Sequence, residues 1–248
     1  MARYGDYYGG SYGYYSQPSK AELQEKAAAS IAGLQKKGRV LNPIHLEGTK
    51  LARTWWGKAW CDNIDRYADF SNRVDRGKRY VRADCVIDLQ VSKGRIEALV
   101  QGTRKKPYEV AVGIASLTDD AFAELMGDCT ARADSLEALA AGDFPNELKR
   151  RLLVAGGLFP APAQIGFTCS CPDSASLCKH IAAAIMAVAP QLDETPLLLF
   201  ELRGVDTAEL VKRTVAEKLD LMLANADAPS ERIMDMPDAD LTALFGVL

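Results

Sequence analysis

Three cysteines and a histidine fall within FTCSCPDSASLCKH, residues 167–180, of a 248-residue chain that holds only six cysteines and two histidines. No other feature constrains the fold so tightly, because four side chains with affinity for metals must converge within one short backbone path. Cys169 and Cys171 are two apart. On an extended strand, residues i and i+2 point to the same side, so both sulfurs reach a single atom. Pro172-Asp173 supplies turn chemistry that swings the chain round. Deep inside an α-helix, residues two apart diverge by about 200°. Cys178 is therefore expected at or ahead of the start of the alanine-rich helix HIAAAIMAVAPQL, with His180 in its opening turn.

A strand-turn-helix of this kind delivers Cys169, Cys171, Cys178 and His180 as the four tetrahedral ligands of one structural zinc ion. Three thiolates and a neutral imidazole leave the site with net negative charge, which a helix N-terminus and the adjacent Lys179 both favour. A redox reading fits less well. C-x-C is a poor match to the C-x-x-C of dithiol centres, and it leaves Cys178 and His180 unexplained. With all four positions filled, no open position remains for a catalytic water.

The rest of the chain reads as α+β. Ser19 and Glu22 have the spacing of a capping box ahead of a helix over residues 20–37. Trp55, Trp56 and Trp60 lie on a second helix beginning near Thr54, where core packing is favoured over base stacking and Gly57 is a weak point. From Tyr80 an alternation predicts a strand that buries Val81, Ala83, Cys85, Ile87, Leu89 and Val91 on one face. Lys93-Gly94 turns it into a returning strand, and Val110, Val112 and Ile114 mark a third. An antiparallel sheet with flanking helices follows, with Cys61, Cys85 and Cys129 as inert residues. The chain divides into a disordered Tyr/Gly-rich tail (1–19), an α+β domain with a basic sheet (20–155), the finger and its helix (156–204) and a helical C-terminal segment (205–248). In that last segment Leu210, Val211, Val215, Leu219 and Met222 share one broad helical face.

CSCPDSASLCKH resembles the SWIM zinc finger, C-x-C-x(n)-C-x-H. TWWGKAW, the stretch from Arg76 to Val110, GGLFP and LLLFELRG extend the resemblance to bacterial SWIM zinc finger proteins, stand-alone relatives linked to Snf-like helicases. That resemblance implies zinc on Cys169, Cys171, Cys178 and His180, and a role in binding DNA or protein. It also implies a Snf-like helicase or ATPase as a partner.

Charge is distributed unevenly. Residues 36–106 carry 17 Lys+Arg against 8 Asp+Glu, while the remainder carries 13 against 25. A basic face suited to a polyanion and an acidic half suited to protein contacts are both implied. Candidate phosphate contacts are Arg76, Lys78, Arg79 and Arg82, together with Arg104, Lys105 and Lys106. The chain holds no P-loop, H-E-x-x-H or G-x-S-x-G motif. With His180 given to zinc, only His45 is left for acid–base work, so the expectation is a non-catalytic accessory protein. No apolar run is long enough for a membrane span, and no secretion signal is evident. A cytoplasmic location is expected, nucleoid-associated if DNA is bound.

Overall fold

The computed structural model describes residues 18–66, 71–132, 146–153 and 157–206 apart from 174 and 176, with residues 208, 212, 216, 219, 220 and 223. Ser19 opens helix α1 (Lys20–Gln35) through the expected capping box: its Oγ accepts the N–H of Glu22, and the Glu22 carboxylate accepts the N–H of Ser19. Thr54 caps α2 (Trp55–Asp65), and α3 spans Ser71–Val81. Strands β1 (Val86–Ser92), β2 (Arg95–Val100) and β3 (Tyr108–Ile114) follow as an antiparallel meander, with Ser92 opposite Arg95 across the Lys93-Gly94 turn. Next come α4 (Asp119–Arg132) and α5 (Asn146–Leu152). Then β4 (Ile165–Cys169) pairs antiparallel with β3, setting Val110 opposite Cys169. The chain continues through α6 (Lys179–Met186), α7 (Val188–Glu194) and α8 (Leu198–Leu202). The sheet order is β1-β2-β3-β4.

The sheet has two differently covered faces. On one, Ala27, Ile31 and Leu34 of α1 pack over Ile87 and Leu99. The other carries Leu89, Ile96, Ala98, Val100, Val110 and Val112 into a continuous core with α2, α3, α6, α7 and α8. Helix α6 is buried from His180 onward. A helix apolar on every side belongs in the centre of a core, and α6 occupies it. The strand of the finger is thus the fourth strand of the sheet, so sheet and core run across the 155/156 division drawn from the sequence.

Two expectations about the stretch from Tyr80 are corrected. It does not open a strand: Tyr80 and Val81 end α3, and β1 begins only at Val86. Asp84 adopts φ +53°, and the N–H of Cys85 reaches back to the Tyr80 carbonyl at 3.0 Å, a helix-ending turn of the Schellman kind. Val81, Ala83 and Cys85 are all buried, but a helix end and a turn bury them rather than a pleat. Nor do all the apolar residues share one face. A register shift between Val86 and Asp88 sends Ile87 to the α1 side, while Leu89 stays in the main core. Cys85 is buried and its thiol is pushed up to about 12 by that burial, as an inert residue should be. The Cys61 thiol is likewise pushed up to about 12, mainly by burial.

Residues 1–17 of the Tyr/Gly tail drawn over 1–19 lie outside the described residues, as do the side chains of Cys129, Leu210, Val211, Val215 and Met222. Leu219, expected on a broad apolar face, is 54% exposed. Among the described residues no helix is long and apolar enough to cross a membrane.

Glycines permit the closest approaches between helices. Gly57 is no weak point: a Cβ there would lie 2.6 Å from Asp193 Oδ1 and 2.8 Å from the Ala189 carbonyl oxygen. The Asp193 carboxylate accepts the N–H groups of Arg53 and Thr54, binding α7 to the N-terminus of α2. At Gly77, a Cβ would lie 2.6 Å from Ala182 Cβ and 2.7 Å from the Ala182 carbonyl carbon and the Ala183 nitrogen. Backbone cannot rotate aside. Gly77→Ala is therefore expected to destabilise by about 1–3 kcal/mol, the clash outweighing alanine's helix preference of up to about 1 kcal/mol. Thermal melting checks this, since a melting temperature at or above that of the parent would show that α3 can shift.

Candidate metal centre

The finger is assembled from three separately positioned pieces. Cys169 ends β4, held by the ladder to β3. Ser170 extends that ladder, its N–H donating to the Glu109 carbonyl and its Oγ accepting the Glu109 N–H, both at 3.0 Å. This fixes the strand on either side of Cys169 and leads into Cys171. Asp173 then accepts the N–H of Ala175 at 3.2 Å and a 2.7 Å ion pair from Arg73 of α3, so α3 holds the turn in place. Cys178 is the N-cap of α6 with extended backbone (φ −86°, ψ 167°), and His180 is the second residue of the helix. The conformational expectation for both is met.

The four donor atoms lie within 4.8 Å of one another. His180 Nδ1 stands 3.8 Å from Cys178 Sγ and 4.0 Å from Cys169 Sγ. Zinc–thiolate bonds of about 2.3 Å in a tetrahedron put donors about 3.8 Å apart. The residues fit the ion, and the protein holds one structural zinc on Cys169, Cys171, Cys178 and His180. Without metal the sulfurs compete for protons. A hydrogen bond from Cys169 holds the Cys178 thiol well below its ordinary range, helped by His180 and by the N–H of Ile181 at 3.5 Å, while Cys169 is pushed upward. A thiolate at a helix N-terminus is the state that zinc requires.

The histidine sits among aromatic rings that the sequence did not single out. Tyr108 stacks on it with centroids 4.1 Å apart and 27° between planes, and Tyr80 meets it edge-on at 5.6 Å and 73°. Lys179 Nζ lies 5.8 Å from the Tyr80 ring centre, and the Arg104 guanidinium 5.9 Å from that of Tyr108. Cations thus flank an anionic centre. Arg203 was also missed. Buried at the end of α8, it donates to the carbonyls of Gly157 and Ala115 and to Gln164 Oε1, tying GGLFP and the approach to β4 onto LLLFELRG.

The seven basic candidates separate into two groups. Arg104, Lys105 and Lys106 are exposed in the loop between β2 and β3, and Lys26 of α1 joins them by donating to the Thr103 carbonyl at 3.3 Å. The others lie on or just after α3, not on a strand. Lys78 pairs with Asp65 at 2.6 Å, Arg79 donates to the Pro18 carbonyl at 2.5 Å and Arg82 to the Thr49 carbonyl at 2.8 Å. Arg76 is exposed. His45 pairs with Asp84 at 3.3 Å.

Comparison with known proteins agrees with this geometry. The SWIM zinc finger family matches residues 168–189, which contain all four donors. The uncharacterized protein Rv2102 of Mycobacterium tuberculosis is 31% identical over 190 residues, covering 76% of this chain and 68% of that one. No solved structure matches the chain. The donor set, its strand-turn-helix frame and the similarity reaching well beyond the finger give one answer: the chain belongs to the SWIM zinc finger family.

Proposed function

We propose that this protein is a non-catalytic accessory that binds DNA through the basic loop beside its zinc centre. The observation that carries this reading is the gathering of Arg104, Lys105, Lys106 and Lys26 where Arg104 lies over Tyr108, the ring stacked on the zinc ligand His180. Exposed cations on a rigid, metal-braced base suit phosphate contact, which supplies most of the affinity for nucleic acid without reading its sequence. Lys78, Arg79 and Arg82 each engage a neighbouring group, while Arg76 adds an exposed charge. A non-catalytic role accords with four donors that fill the zinc's coordination.

Fluorescence anisotropy with labelled single- and double-stranded DNA tests the proposal. On duplex DNA, each phosphate contact contributes about 0.9 to the slope of log affinity against log salt. An Arg104→Ala, Lys105→Ala, Lys106→Ala triple variant is expected to bind more weakly and to flatten that slope by about 2.7. Zinc-loaded parent protein that binds no DNA at low salt would sink the reading.

A second reading is supported by Leu219 and Leu223, helical residues four apart that are 54% and 62% exposed. Such residues, in the acidic part of the chain, suit docking onto a partner protein, with a Snf-like ATPase as the partner the family resemblance suggests. Apolar docking is indifferent to salt, so the same titration run against a candidate ATPase separates the two readings.

A further inference from the structure

His180 faces the cysteines through Nδ1. A neutral imidazole that ligates through Nδ1 carries its proton on Nε2. Ligating histidines ordinarily donate that second N–H to a carboxylate, a carbonyl or water, which fixes the plane of the ring. Here Nε2 is buried and has no hydrogen-bond partner among the described residues. What the protein supplies around the ring is packing.

Besides the edge of Tyr80, two features bear on its plane. The Tyr108 ring stacks on the imidazole at 4.1 Å. Gly102, at the other end of the same loop, lies against both rings: a Cβ there would stand 2.5 Å from Tyr108 Cε2 and 3.1 Å from His180 Nε2. Gly102 is not among the glycines with positive φ, so its backbone would suit any residue. Glycine is needed there for space. We propose that Tyr108 and Gly102 are positioning residues of the zinc centre, holding His180 in its ligating orientation by ring stacking where a hydrogen bond is ordinarily used. Because both residues bracket the loop 103–106, the metal centre also anchors the base of the basic loop. This holds whether or not the loop meets DNA.

Cobalt(II) substitution tests the proposal, with affinity measured by chelator competition and geometry by the visible absorption bands. Tyr108→Phe keeps the stacking ring and is expected to bind cobalt as the parent does, with unchanged bands. Tyr108→Leu removes the stack, and Gly102→Ala pushes on both rings. Each is expected to lose about 10–100-fold in metal affinity, the usual scale for outer-shell changes, with shifted bands and a native far-ultraviolet circular dichroism spectrum. Leu192→Ala, in the core on α7, controls for general loosening: it should lower the melting temperature and leave cobalt affinity intact. Parent-like affinity and bands in Tyr108→Leu and Gly102→Ala would overturn the proposal. So would an equal loss in Leu192→Ala or in Tyr108→Phe. Should Tyr108→Leu fail to fold, Gly102→Ala and the two controls decide.

Discussion

Stripping the zinc will disrupt far more than residues 168–180. Structural zinc contributes on the order of 10 kcal/mol to small zinc modules, against a total folding free energy of about 5–15 kcal/mol for an ordinary domain. Two of the four ligands lie at the start of α6, which is buried from His180 onward and packs against α3 and the inner face of the sheet. Losing the ion therefore loosens the central helix of the core. Cys178→Ser is the most informative variant. Serine is a good N-cap residue, so capping of α6 survives and only the thiolate is lost. We expect bound zinc to fall well below one ion per chain. At about 2–4 °C per kcal/mol for a domain of this size, the melting temperature should fall by about 20 °C or more. Metal analysis and thermal melting followed by circular dichroism check both, and an unchanged melt would contradict a structural site.

Trp60→Ala should have the next largest effect. Trp60 is fully buried in α2, and its Nε1–H donates to the Ile185 carbonyl of α6 at 2.8 Å. Truncating a buried tryptophan costs about 3–5 kcal/mol through lost transfer energy and the cavity left behind. Trp60→Phe refills most of that volume but loses the bond to the Ile185 carbonyl, which keeps the N–H of Ala187, a loss of about 0.5–1.5 kcal/mol. Urea denaturation should therefore rank parent, phenylalanine and alanine in that order with little change in slope. A phenylalanine variant as unstable as alanine would mean that the hydrogen bond, not the ring, is what joins the two helices.

Local signals in the chain were faithful wherever neighbouring residues decide the outcome. The Ser19–Glu22 capping box, the Lys93-Gly94 hairpin and the alternation of β3 formed as expected. So did the metal centre, because its geometry rests on two short-range facts: i and i+2 converge on a strand, and Cys178 must precede the helix. Helix α3 was hidden. Its buried residues Val74, Gly77, Tyr80 and Val81 do have helical spacing, but a glycine contributes no apolar signal and Tyr80 to Cys85 mimics a strand. The aromatic setting of His180 could not be read at all. Tyr80, Tyr108 and His180 meet only because α3, β3 and α6 pack together, and no local pattern encodes that meeting.

The place of β4 has a further consequence. It is the outermost strand on its side of the sheet, and its last residue is a zinc ligand. When the ion leaves, β4 loses its tether, and the strand it uncovers is YEVAVGI, rich in β-branched residues. An uncovered strand of that composition is a template for pairing with another chain. Metal-starved protein should accordingly self-associate as it loosens, which makes zinc a guard against aggregation as well as a brace.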